Sequence, residues 1–143
     1  MQVNGEVKLI EKIIKKMLFS KYSKYSLKKW EDLEKVKILG ADLKLLGKEL
    51  GSNNVDIVMG KFSFQEGLYP HYHKFPTEEI YYIIEGKVGI FIDNKMVKAE
   101  KGDFFYIPPG TLHYPINENI EPCWMLFILS PPEDEAVVVD EKK

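Results

Sequence analysis

All three histidines of the chain, His71, His73 and His113, fall inside two short stretches that read as strands cut by glycine and proline. The first, Gly67 to Gly86, is GLYPHYHKFPTEEIYYIIEG; the second, Gly102 to Asn117, is GDFFYIPPGTLHYPIN. Punctuation at such close intervals breaks long helices and favours short strands joined by tight turns. His71 and His73 are two residues apart in an extended run, which sends both imidazoles to one face. Glu79 heads an apolar run that closes at Gly86, and His113 follows a Pro-Pro-Gly turn. Three imidazoles and one carboxylate suit a divalent transition ion, because neutral imidazole nitrogen is a good ligand for Fe, Cu, Ni and Zn.

The rest of the chain keeps the same rhythm. Strands are expected over Lys37–Leu50, Val55–Phe64, His71–His73, Glu79–Ile84, Val88–Ile92, Lys95–Glu100, Phe104–Ile107 and Cys123–Leu129. Turns fall at Gly51–Asn54, Glu85-Gly86, Asp93-Asn94, Lys101-Gly102 and Pro108–Gly110, which together predict an all-β sandwich or barrel. Ahead of it, residues 6–19 place Ile10, Ile13, Ile14, Met17 and Leu18 at helical spacing with lysines largely elsewhere, an amphipathic helix. Its apolar stripe suits packing on the outside of the β-domain or against a second subunit, and a basic membrane-surface helix is the other reading. Residues 20–34 read as a loop and a short second helix, with Trp30 a packing anchor. The tail from Pro131 reads as loosely ordered, or as a strand for a partner's sheet through Ala136–Val139.

Charge and cysteine content narrow the function classes. The chain has 143 residues, 45% hydrophobic and 29% charged, and a formal net charge of −2. That balance fits a globular domain and argues against nucleic-acid binding. Eight lysines within residues 1–30 face only Glu6 and Glu11, and every basic residue is lysine, which removes the bidentate arginine contacts that DNA readers favour. The single Cys123 has no partner for an intrachain disulfide, and no run of residues has the length and apolarity of a membrane span; both lead to the expectation of a cytoplasmic protein without a membrane partner.

The two stretches resemble the paired motifs of the cupins, G-x5-H-x-H-x3,4-E-x6-G and G-x5-P-x-G-x2-H-x3-N. Gly102, Pro108, Gly110, His113 and Asn117 match the second throughout. In the first, Gly67 stands closer to His71 than the pattern asks, and two carboxylates compete. Glu79 keeps the spacing to Gly86, whereas Glu78 keeps the spacing from His73. Glu79 is preferred, because a strand running into a glycine turn fixes its register and the Lys74–Thr77 loop absorbs one extra residue. The resemblance covers about the C-terminal two thirds of the chain. It implies a double-stranded β-helix, the jelly-roll barrel, over residues 35–130, with residues 1–34 a helical extension and 131–143 an acidic tail.

It also implies a homodimer and a metal site of His71, His73, Glu79 and His113, with Fe(II) favoured and Mn, Ni, Cu or Zn as alternatives. A divalent ion beside one carboxylate leaves one net positive charge, which favours an anionic or enolisable small molecule. Tyr81 and Ile83 share strand parity with Glu79, and Asn117 shares it with His113. Tyr69, Tyr106 and Trp124 join Tyr81 and Asn117 as candidate pocket residues, and Glu79 is the candidate proton shuttle. The functional expectation is a metal-dependent cupin of the dioxygenase type; metal-assisted isomerisation or decarboxylation, and a non-catalytic ligand sensor, are the alternatives.

Overall fold

A computed structural model describes residues 5–20, 25–133 and 135–139, with only the backbone described for 14–20. Helix α1 is Gly5–Ser20, and a 3-10 turn follows at Trp30–Asp32. Then come β1 (Val36–Ile38), β2 (Ala41–Leu45), a single helical turn α2 (Leu46–Glu49), β3 (Asp56–Phe62) and β4 (His71–Tyr72). The remainder is all strand: β5 (Glu78–Glu85), β6 (Lys87–Ile92), β7 (Lys95–Glu100), β8 (Phe104–Ile107), β9 (His113–Ile116), β10 (Cys123–Ser130) and β11 (Val137–Val138). They form two antiparallel sheets, β1-β2-β3-β10-β5-β8 and β11-β4-β9-β6-β7. This is a jelly roll. The expected barrel is corrected to two faced sheets: their edge strands do not pair into one continuous ladder.

The core forms where strand alternation turns apolar side chains inward. In β5, Glu79, Tyr81 and Ile83 are buried while Glu78 and Ile80 are exposed; in its neighbour β10, Cys123, Met125, Phe127 and Leu129 are buried. Their register sets Tyr81 opposite Phe127 and Ile83 opposite Met125. Val88 and Ile90 of β6 meet them from the other sheet, with Leu43, Val58 and Phe62 completing the cluster. The motif glycine Gly86 makes the β5–β6 turn possible. Its φ is +84°, and a Cβ there would collide with the carbonyl oxygen of Pro122. Asp93 and Asn94, both at positive φ, form the two-residue turn between β6 and β7.

Three expectations need correction. The strand over Lys37–Leu50 is broken into β1, β2 and α2, because Leu39 and Gly40 turn back at positive φ and the Tyr69 ring occupies the space beside Gly40, 2.7 Å from where a Cβ would lie. The second helix is only the 3-10 turn, although Trp30 is an anchor as expected: its ring meets Trp124 edge-on at 5.6 Å, and Lys44 Nζ sits 4.1 Å from the ring centroid. The tail, as far as it is described, is tied to its own chain. Val137–Val138 pairs with β4, so Ala136–Val139 fills this chain's open sheet edge rather than a partner's. On α1, Ile10 and Ile13 are exposed; the side chains of Ile14, Met17 and Leu18 lie outside the described residues. Among the described residues, no helix is long and apolar enough to cross a membrane.

Candidate metal centre

The fold brings the three histidines and Glu79 to one point between the sheets. His71 lies in β4 and pairs with His113 at the start of β9; His73 stands just beyond β4, and Glu79 enters from β5 in the opposite sheet. The shell therefore draws on three strands and the residue following one of them. All four are buried, His113 completely, and one ligand atom from each lies within 4.8 Å of the others. The imidazole centroids are 4.4 Å apart for His71 and His113, 5.0 Å for His71 and His73, and 5.4 Å for His73 and His113.

Hydrogen bonds fix how the rings present themselves. Nδ1 of His71 lies 2.7 Å from the Tyr69 carbonyl oxygen, and Nδ1 of His113 lies 2.7 Å from that of Thr111. A carbonyl only accepts, so both Nδ1 atoms carry a proton and both rings turn Nε2 toward the cluster. His73 Nδ1 meets the Glu133 carboxylate in the same way. On the inner side, Glu79 Oε1 is 2.8 Å from His113 Nε2 and 3.0 Å from His73 Nε2. The latter contact is close in distance but poorly directed, leaving His73 Nε2 a buried nitrogen with no hydrogen-bond partner. Nitrogen lone pairs and a carboxylate cannot face one another at such distances without a positive charge between them. A divalent ion meets that need with no proton, so the donor set fits a metal.

Burial, with the charge of His113 second, lowers His71 to about 3 and keeps its ring neutral. At His73 burial also lowers the pKa, but the adjacent Glu79 and Glu133 carboxylates outweigh it and raise the group above 6.5. At Glu79 burial raises the pKa, and the His113 hydrogen bond together with the close approach of His73 outweighs it, bringing the carboxyl to about 2. A raised histidine gives stability that is full below its unfolded pKa and lost as pH rises through the folded value; the depressed carboxylate loses its contribution only as pH falls toward that lower value. His71, held neutral in the fold but free to protonate near 6.5 when unfolded, works the other way, so the metal-free protein is expected to melt at higher temperature as pH falls from about 8 to about 7 and to lose stability again further below. Metal uptake has the opposite sign, since protons compete for Nε2. Thermal unfolding with and without metal checks both signs; an apo melting temperature that drops between about pH 8 and about pH 7 contradicts the assignment.

A cavity of about 770 Å³ opens on His71, His73 and Glu79, walled by Leu43, Val58, Tyr69, Phe127 and Leu129. Of the expected pocket residues, Tyr69 is there. Tyr81 is fully buried beside the cluster, its ring 5.8 Å from that of His113 and its hydroxyl without a partner; burial, then the Glu79 charge, raises its pKa well above 10. Tyr106, Trp124 and Asn117 are placed elsewhere. Tyr106 is 52% exposed on the outer face of β8, donating its hydroxyl to Glu78 at 2.6 Å. Glu78 is thereby removed from the site, and Glu79 is the carboxylate that reaches it. Trp124 alternates to the outer face of β10 against Trp30. Asn117 is buried but holds the turn after β9: its Nδ2 donates to the Phe62 and Glu121 carbonyls at 2.9 Å, and its Oδ1 accepts from Asn119 N at 2.8 Å. Glu133 has no counterpart among the sequence-based candidates.

Two faced sheets thus set a three-histidine, one-glutamate cluster that could hold a metal ion beside a cavity. The chain belongs to the cupin superfamily: the Cupin domain model matches residues 60–129. An uncharacterised protein of Methanocaldococcus jannaschii is 42% identical over 65 residues, covering 46% of this chain and 50% of that protein. Glucose-6-phosphate isomerase of Thermococcus onnurineus is 36% identical over 80 residues, covering 52% and 40%. Quercetin 2,3-dioxygenase of Bacillus subtilis is 35% identical over 43 residues, covering 30% and 12%. The chain thus spans half or less of the length of these curated relatives. Among solved structures, the polyketide cyclase RemF of Streptomyces resistomycificus superposes with a TM-score of 0.70 at 18% identity, covering 82% of this chain and 87% of that one. KdgF from Halomonas sp. gives 0.65 at 18%, covering 78% and 97%. At that identity the structural likeness establishes the fold.

Proposed function

We propose that this chain is a metal-dependent enzyme acting on a small oxygen-bearing molecule, with dioxygenase-type chemistry as the first reading. The carrying observation is the convergence of three oriented imidazoles and Glu79 beside an open cavity that His71, His73 and Glu79 line. His71, His73, His113 and Glu79 would hold a divalent ion, Fe(II) first and Mn, Ni, Cu or Zn next. When bound, such an ion supplies Lewis acidity and, if redox-active, oxygen chemistry. The chain's own residues do the rest. The Nδ1 bonds hold the rings in register, the Leu43, Val58 and Phe127 wall excludes water, and the Glu79 carboxylate takes a substrate proton.

The wall and the charge guide the choice of substrate. Glu133 adds a second carboxylate beside the histidines, so a divalent ion leaves the centre near neutral, in place of the single positive charge expected from sequence. Lys37, on the rim, is engaged with Asp42 at 2.9 Å. A neutral or singly ionising enol or phenol with an apolar skeleton suits this better than a polyanion, in keeping with the likeness to quercetin 2,3-dioxygenase. Metal-assisted isomerisation is the second reading, supported by Lys48 on the rim and by the longer match to glucose-6-phosphate isomerase. Oxygen-electrode assays of Fe(II)- and Mn(II)-loaded protein over enols and phenols are expected to show uptake with product. Isomerised sugar phosphate without oxygen uptake favours the second reading, and thermal shifts with no product under any metal favour a ligand sensor.

A further inference from the structure

We infer that Glu133 is a positioning residue of the metal centre, orienting His73 and tying metal affinity to the docking of residues 131–133 and 135–139. The inference rests on the metal reading above. The three histidines are not oriented alike. His71 and His113 each give Nδ1 to a carbonyl two residues away, so their own strands set their rings. His73 lies beyond the end of β4, and its Nδ1 is taken by a side chain 60 residues further along. The two Glu133 oxygens divide the work: Oε1 meets His73 Nδ1, and Oε2 accepts from Lys74 N at 3.0 Å. Gripping a ring and the next backbone amide together fixes the ring's plane relative to the chain.

A carboxylate on Nδ1–H is a stronger acceptor than a carbonyl and makes Nε2 a better donor to a cation. Glu133 is held for this task from both sides. Thr77 Oγ1 donates to the Pro131 carbonyl at 2.7 Å, and Val137 and Val138 pair with Tyr72 and His71. Pro132, Ala136 and Val138 of the same segment wall the cavity. The segment that lines one wall of the cavity thus also supplies the charge behind one ligand, and docking and metal binding strengthen each other by linkage.

The test is Co(II) titration of the full chain, followed by competition for affinity and by the Co(II) d–d spectrum, in wild type, Glu133→Ala, Glu133→Gln and Thr77→Val. Glu133→Ala is expected to weaken Co(II) binding by about 10–100-fold and shift the d–d bands. Glu133→Gln, which keeps an acceptor and loses the charge, is expected to recover part of that affinity. Thr77→Val, which removes one hydrogen bond of the docked segment without touching the ring, is expected to weaken binding by no more than about 3-fold, with unshifted bands. Glu133→Ala with wild-type affinity and spectrum overturns the inference and leaves the metal reading standing. Equal losses in Thr77→Val and Glu133→Ala, with unshifted bands, also overturn it, assigning the effect to docking alone. No Co(II) uptake by wild type overturns the metal reading and this inference with it.

Discussion

Replacing His71 and His113 together by alanine is expected to empty the site of metal. Both rings are buried, both have Nδ1 committed to a carbonyl, and their centroids are 4.4 Å apart, so they supply adjacent Nε2 donors that no neighbouring side chain replaces. What remains is His73 and Glu79, two donors instead of four. Losing an outer partner of a ligand typically weakens a site 10–100-fold, so losing two ligands is expected to weaken it by more than ~100-fold. Elemental analysis of untagged protein checks this: near-stoichiometric metal in wild type and none in the variant, with far-UV circular dichroism unchanged. A variant that keeps its metal places the ion elsewhere.

Phe127→Ala is expected to cost about 3–5 kcal/mol of folding stability. Phe127 is 2% exposed at the centre of β10, edge-to-face with Phe62 at 6.1 Å and with Tyr81 at 4.9 Å. It joins β3 and β5 through the inner face of the six-stranded sheet, and neither neighbour can collapse into the space without leaving its strand. For a domain of this size the loss corresponds to a melting temperature lower by roughly 10–20 °C. Because Phe127 also walls the cavity, the variant enlarges the space facing His71 and Glu79. A loss under about 1 kcal/mol in chemical denaturation would mean the core is not packed as described.

The parts of this architecture that follow a local rule were legible in the sequence. EEIYYIIEG runs straight into a glycine turn, so its register from Gly86 told Glu79 from Glu78, parity with Glu79 placed Tyr81 inside, and Asp93-Asn94 announced its own turn. Where a run is apolar throughout, alternation carries no signal. FFYI and CWMLFILS therefore gave no indication that Tyr106 and Trp124 face outward, away from the cavity. Asn117 has the parity of His113, but the chain leaves the strand at that point, and the turn takes its amide. Glu133 was out of reach for a different reason. It stands among several acids in PPEDE with no periodicity, and its partner is 60 residues away, so only the fold brings them together.

The most direct measurement is anomalous diffraction from crystals of the untagged protein grown with Mn(II) or Co(II). The account predicts one peak about 2.0–2.2 Å from Nε2 of His71, His73 and His113 and from a Glu79 oxygen, with Glu133 still on His73 Nδ1. A map with no peak at this cluster and Glu79 still bridging His73 and His113 would contradict it.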